Sequence, residues 1–325
     1  MSTPDGRKKA LRTFRVARRL PGVTAAIVRH GLQPRILLFG SLSPGDDLLC
    51  TTVLREARKR GRPFAMMTNH PSLFEHNGDP TGIIPVDDYL AKALRMLGSS
   101  VVQPYYTSAD PLEPDRDVFA GGHILRRMCE LADLTGEVAL RPYLHLAPAE
   151  VATGLRAEGQ IAIQSTGSGA AVPFANKEWA PSRFADVVRG LPTGLRAVQL
   201  GLANDPAIPG AIDLRGRTTM REAAAVISAS KAFVGLEGFL GHLARAVNCP
   251  AVIVLGGRAA ATTVGYPCNE YLAAPTPCAP CGLRNRCAYD RACLQRVTAV
   301  EVLAALERVL GRPRHHLLED TSLIP

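Results

Sequence analysis

The stretch KAFVGLEGFLGHLARAVNCPAVIVLG, residues 231–256, decides how the rest of the chain is read. Residues 232–234 are an apolar run of strand length, 235–241 is a glycine-punctuated turn, 242–247 opens a helix, and after Pro250 a second apolar run covers 251–255. This is a strand, loop, helix, strand unit, the building block of a parallel sheet. In such a unit the loop leaves the carboxyl end of a strand, and the helix N-terminus faces a crevice suited to phosphates and ribose hydroxyls. Glu237 and His242 are the polar groups at that place. The plainer reading makes one a helix-start carboxylate and the other a core histidine.

Outward from this unit the same alternation recurs. Strands are expected at 35–39, 64–68, 83–86, 101–106, 160–164, 197–200 and 212–214. Helices are expected at 48–60, 87–97, 123–134, 183–189, 220–228 and 299–310, the helix at 220 being capped by Thr218 or Thr219 with Glu222 placed for a capping box. Strands and helices that alternate in both halves predict an α/β chain with two parallel sheets. With 325 residues, 46% of them hydrophobic, the chain is long enough for two cores. The segment RPYLHLAPAEV (141–151) reads as a linker, which puts the boundary near residue 152: an N-terminal domain over 30–152, a C-terminal domain over 153–310 and a tail over 311–325.

Charge and cysteine usage narrow the function classes. The net charge of +9 favours polyanionic partners. Residues 1–29 form a basic arm in which Leu11, Phe14, Val16 and Leu20 interleave with Arg and Lys, a pattern that suits the surface of an anionic membrane or an arm packed on the body. No apolar run approaches the roughly 20 residues needed to cross a bilayer, and the N-terminus lacks the apolar core of a signal peptide. A cytoplasmic chain is expected, with peripheral contact at the inner membrane face. In that reducing setting clustered cysteines point to metal. Cys278 and Cys281 form a C-x2-C pair, followed by Cys287 and Cys293, with Cys268 upstream. Four thiolates can surround a tetrahedral zinc or iron at about 2.3 Å, and with every position filled the ion is structural. Cys268 is either a spare or a substitute for Cys293. In HPSLFEHN (70–77) the spacing of two histidines and a glutamate matches no regular ligand set.

Three further groups have the right neighbours for chemistry. Asp46 and Asp47 sit where the first loop enters its helix, and capping is the simpler use of such residues. The turn STGSG (165–169) follows a strand and offers backbone N–H groups to an anion, but no G-K-[ST] follows, so it is not a Walker loop. Lys177 comes soon after it.

Three segments, in order, resemble glycosyltransferase family 9, the bacterial heptosyltransferases: PGDDLLCTTVLREA (44–57), NKEWAPSRFADVV (176–188) and GLEGFLGHLARAVNCPAVIVLGG (235–257). The resemblance implies the GT-B architecture, two Rossmann-like domains facing each other across a cleft, with the last helix packing back on the N-terminal domain. It implies Asp46 as the catalytic base, Lys177 with Ser165 and Thr166 at the donor pyrophosphate, and Glu237, Gly238 and His242 at the nucleotide sugar. Glu237 stands where aspartate is usual, Gly238 and Phe239 replace a small Thr/Ser-Gly pair, and Asp47 replaces an apolar residue. The donor is therefore an ADP-heptose-like or other nucleotide sugar. Some relatives, notably protein heptosyltransferases, are similar in having a cysteine finger that holds iron, here residues 268–293.

The expected function is that of an inverting glycosyltransferase without a catalytic metal, acting on a hydroxyl of a lipopolysaccharide, another surface glycan or a protein acceptor. Two alternatives use the same residues: a nucleic-acid-binding protein built on the finger, and another GT-B enzyme such as a sugar-nucleotide epimerase. The first calls for stacking aromatics near the finger, and Tyr289 is the single one between Cys278 and Cys293, so no nucleic acid is expected.

Overall fold

A computed structural model describes residues 34–40, 42–154 and 160–312. The basic arm at 1–29 and nearly all of the 311–325 tail lie outside the described residues. The N-terminal half holds a four-stranded parallel sheet in the order β3-β2-β1-β4: β1 (Ile36–Leu38), β2 (Ala65–Thr68), β3 (Ile83–Pro85) and β4 (Val101–Val102). An antiparallel hairpin, β5 (Thr107–Ala109) and β6 (Asp117–Phe119), follows. The C-terminal half is a six-stranded parallel sheet in the order β12-β11-β10-β7-β8-β9. Its strands are β7 (Ile161–Ile163), β8 (Ala197–Gln199), β9 (Ile212–Asp213), β10 (Ala232–Leu236), β11 (Ala251–Val254) and β12 (Glu270–Leu272). Val234 of β10 pairs with Ile163 on one side and Val252 on the other, and Leu37 of β1 pairs with Met66. Strands such as AFVGL and AVIV are buried along their whole length, as a parallel sheet with both faces covered requires.

The helices are α1 (Pro44–Lys59), α2 (Asp88–Met96), α3 (Ile124–Leu131), α4 (Pro148–Gly154), α5 (Pro181–Arg189), α6 (Met220–Ala229), α7 (Phe239–Ala246), α8 (Ala261–Val264), α9 (Ala292–Gln295) and α10 (Ala299–Leu310). Helix α6 starts from the expected capping box: the Thr219 side chain accepts from the Glu222 N–H, and the Glu222 carboxylate accepts from the Thr219 N–H. The two halves share one apolar cluster, in which Leu48 and Val53 of α1 join Leu240 and Leu243 of α7 and Ala224 of α6.

Several elements depart from their expected form. The strand at 101–106 shrinks to Val101–Val102, because Pro104 cannot donate to a ladder and the chain turns there into the hairpin. The helix expected at 123–134 starts at Ile124, with the His123 ring accepting from the Leu125 N–H as its cap. Helix α7 begins at Phe239 rather than at residue 242, one turn earlier, which places His242 inside the helix. The supposed linker ends in helix α4, so the boundary near 152 falls within a helix that packs on α6. Among the described residues, helix α10 packs chiefly on α5, β10, β11 and β12 of its own half, where the resemblance implied packing on the N-terminal domain.

Candidate active site

A cavity of about 680 Å³ opens between the halves, floored by the carboxyl ends of both sheets. Helices α1 and α7 point their N-termini into it, and they touch: a Cβ on Gly45 would lie 3.6 Å from the Phe239 Cα. This is the crevice where α/β sheets place ligands.

The two neighbouring aspartates of α1 part company here. Asp46 lines the cavity, and its Oδ1 accepts a hydrogen bond from the Tyr106 hydroxyl at 2.8 Å. Burial and the nearby Asp46 push the Tyr106 phenol well above its ordinary range, so it stays a donor. Asp47 turns the other way, is 1% exposed, and accepts from Thr68 Oγ1 at 2.5 Å with His70 Nδ1 at 2.8 Å. Burial raises its carboxyl, an effect only partly offset by Thr68 and His70. His70 thus leaves the HPSLFEHN segment to hold Asp47, and Glu75 of the same segment faces Arg221 at 3.3 Å.

On the opposite wall Lys177 Nζ meets Glu237 Oε2 at 2.5 Å, and His242 Nε2 lies 3.8 Å from Glu237 Oε1. Burial alone pushes the Glu237 carboxyl up, but Lys177, His242 and Arg258 together outweigh it and hold it at about 2. Burial brings His242 down to about 4 against the pull of Glu237, and its Nδ1 sits 2.7 Å from the Tyr266 hydroxyl. At neutral pH Glu237 is therefore a carboxylate and His242 a neutral imidazole. Gly238 is the N-cap of α7, and its carbonyl accepts from the His242 N–H at 3.1 Å.

The glycine-rich turn is used differently from the expectation. Ser165 is fully buried and does not line the cavity; its hydroxyl donates to the Pro206 carbonyl and accepts from Gln199. Those two bonds hold its side chain inside the protein. Thr166 does line the cavity, but its hydroxyl donates to Glu178 Oε2 at 2.6 Å while the Gly167 N–H donates to Glu178 Oε1 at 2.9 Å. The anion seated in this turn is the chain's own carboxylate.

Arg258 and Arg284 escaped the sequence reading. Arg258 follows the Gly256-Gly257 turn after β11 and bonds Asp117 of β6 through Nη2; Arg284 bonds the other oxygen of Asp117 at 2.5 Å. Both line the cavity. A usable signal was present, since GGR directly after a buried strand places an arginine at the carboxyl end of a parallel sheet. Among the described lining residues, Lys177, Arg258 and Arg284 are the cations, and all three come from the C-terminal half.

The cysteine loop borders this site. Cys278, Cys281, Cys287 and Cys293 are partly exposed, and no disulfide forms. Burial raises the Cys281 thiol, and Cys278, Cys293 and Cys287 raise it further, so those three lie within electrostatic reach of Cys281. Gly257 lets the turn after β11 lie against them: a Cβ there would be 3.2 Å from Cys293 Sγ. The thiol donor set fits a thiophilic ion, although among the described residues no three potential ligands stand in a metal-holding arrangement. Cys268 is partly buried beside Asn269 and packs against the core shared by the halves. The loop's arginines are engaged within the protein, Arg284 with Asp117, Arg286 with Glu113 and Arg291 with Asn176. Among the described residues, no helix is long and apolar enough to cross a membrane.

No protein-family profile and no curated protein matches this sequence. Solved structures do. The ADP-heptose LPS heptosyltransferase II of E. coli superposes with a TM-score of 0.62 at 18% identity, covering 85% of this chain and 98% of that one. A glycosyl transferase family 9 protein from Veillonella parvula gives 0.62 at 14% identity, over 85% and 97% of the two chains. The dodecameric iron-containing heptosyltransferase TibC of E. coli, solved with ADP-D-β-D-heptose, gives 0.62 at 13% identity over 88% and 77%. The two parallel sheets, the cleft between them and these superpositions give the chain the GT-B fold of the heptosyltransferases.

Proposed function

We propose that this protein is an inverting glycosyltransferase that moves a sugar from a nucleoside diphosphate to an acceptor hydroxyl. The observation that carries the reading is the division of labour across one cavity: a carboxylate, Asp46, on the N-terminal wall, and cations on the C-terminal wall. In the reaction the acceptor oxygen bonds to the anomeric carbon and its proton passes to Asp46. The bond from that carbon to the diphosphate oxygen breaks, and its electron pair leaves on the diphosphate. A positioned carboxylate serves the first event and fixed cations serve the second. The Tyr106 hydroxyl holds the orientation of Asp46, while Lys177, Glu237 and the start of α7 form the donor side. The substrate classes follow the names of the solved relatives, a nucleotide-linked heptose or similar sugar as donor and a lipopolysaccharide-type glycan as acceptor. Peripheral attachment to the membrane through the basic arm belongs to the same reading, as does a structural zinc or iron held by Cys278, Cys281, Cys287 and Cys293.

The test is Asp46→Asn. Transfer is expected to fall by about 10²- to 10⁴-fold, the usual worth of a general base, while thermal stabilisation by the matching nucleoside diphosphate is retained. Transfer that proceeds undiminished in the variant, or a wild type that only epimerises its sugar nucleotide, overturns the reading.

A further inference from the structure

The proposed reaction places one named cation, Lys177, near the diphosphate, and that cation is already paired with Glu237 at 2.5 Å. A second cation lines the same cavity. The Arg258 side chain is 6% exposed and lies between the rings of Phe119 from the N-terminal half and Phe174 from the C-terminal half, at 5.2 and 4.8 Å from their centroids. One edge of its guanidinium is fixed on Asp117. Its Nε, buried in the cavity wall, has no hydrogen-bond partner among the described residues. A buried donor left without a partner is costly and is normally satisfied by protein, water or ligand. Arg258 also lies within electrostatic reach of both Glu237 and Tyr106.

Its placement is built from three sides. The Gly257 and Arg258 carbonyls accept from the Cys281 and Gly282 N–H groups, both at 2.9 Å, which ties the turn to the cysteine loop. Asp117 is oriented in turn by Arg284, whose Nε and Nη2 both donate to Oδ1. The Asp117 N–H donates to the Gly282 carbonyl at 2.9 Å. A guanidinium held on one edge by a fixed carboxylate presents its remaining donors in a fixed direction, the geometry that suits a phosphate oxygen.

We propose that Arg258 is a second diphosphate-binding residue, which grips the bridging or leaving phosphate of the nucleotide donor beside Lys177, and that Asp117 and Arg284 are positioning residues that aim it. This rests on the nucleotide-sugar reading above and deepens it. When the carbon–oxygen bond breaks, the electron pair gathers on the diphosphate oxygen, and a cation already in place in a water-poor site stabilises that charge.

The experiment is calorimetric titration of ADP, GDP, UDP, CDP and dTDP, each against its parent nucleoside, into the full chain. For the nucleotide that binds the wild type, Arg258→Met is expected to weaken the diphosphate about 10- to 100-fold and leave the nucleoside within about twofold, with Arg258→Lys in between. Asp117→Asn keeps the cation but loosens its aim, and is expected to weaken the diphosphate by less than Arg258→Met does. Retained nucleoside binding shows in each case that the variant is folded. Equal loss for nucleoside and diphosphate, or no loss for either, overturns the role of Arg258. A wild type that binds no nucleotide overturns the transferase reading itself, a distinct result.

Discussion

At neutral pH, His242 carries no charge, although it sits beside a carboxylate. Burial is the larger influence and brings its pKa from 6.5 to about 4; His123, buried against the Gly265 carbonyl, comes to about 4 as well. Both are uncharged when folded, so the unfolded chain takes up protons first as pH falls. Their contribution to stability is complete above pH 6.5 and disappears as pH drops through about 4. Glu237 adds a later loss, since its carboxyl is held at about 2 against 4.5 when exposed, and its contribution goes between those values. Urea melts at pH 7, 5.5 and 4 should show a falling midpoint in the first interval, and the imidazole signals of both histidines should stay neutral until pH nears 4. Constant stability from pH 7 to 4 would exclude this account. The same scale separates Asp46 from Asp47: adjacent positions on a helix point about 100° apart, so one faces the cavity and the other packs against Thr68 and His70.

At the scale of elements, the crossing of α4 and α6 depends on one missing side chain. A Cβ on Gly154 would lie 2.2 Å from the Ala225 carbonyl oxygen, backbone that cannot step aside as a side chain can. Gly154→Ala is expected to destabilise the fold by about 1–3 kcal/mol, the range for overpacking, read from the midpoint of denaturant unfolding. An unchanged midpoint would mean that the helices do not cross this closely. Helix α6 itself needed no such context, because its Thr219–Glu222 box and apolar face are local. The start of α7 did need it. Phe239 and Leu240 looked like loop because Gly238 and Gly241 flank them, yet Leu240 packs in the core common to both halves. Burial of those side chains extends the helix by a turn past what local propensity supports.

Across the whole molecule the cysteine loop joins three parts of the site. Asn176, next to Lys177, donates to the Leu283 and Arg286 carbonyls, Cys281 and Gly282 hold the Arg258 turn, and Asp115 accepts from the Asn285 and Arg286 N–H groups. A metal at its four cysteines would act as a cross-link that keeps these contacts together. Elemental analysis of the purified chain is expected to find about one zinc or iron, reduced to background in a Cys281→Ser, Cys287→Ser double variant. Stripping it with a chelator should lower the melting temperature and weaken nucleotide binding together. A chain that holds no metal after expression with both ions supplied would leave the loop secured by hydrogen bonds alone.

The sequence by itself determined the alternation of strands and helices, the two parallel sheets, the capping box and the ordered segments around Asp46, Lys177 and Glu237, because each is written in local periodicity or in neighbours a few residues apart. Only the tertiary structure decided which aspartate faces the cavity, that Ser165 is a packing residue, that Glu178 fills the glycine-rich turn, and that Arg258 and Arg284 converge on Asp117. Those pairs lie 141 and 167 residues apart in the chain. A charge meeting its partner over such a separation leaves no periodic trace in sequence; the meeting exists only because β11 and the β5–β6 hairpin are carried to the same cleft by two different halves of the fold.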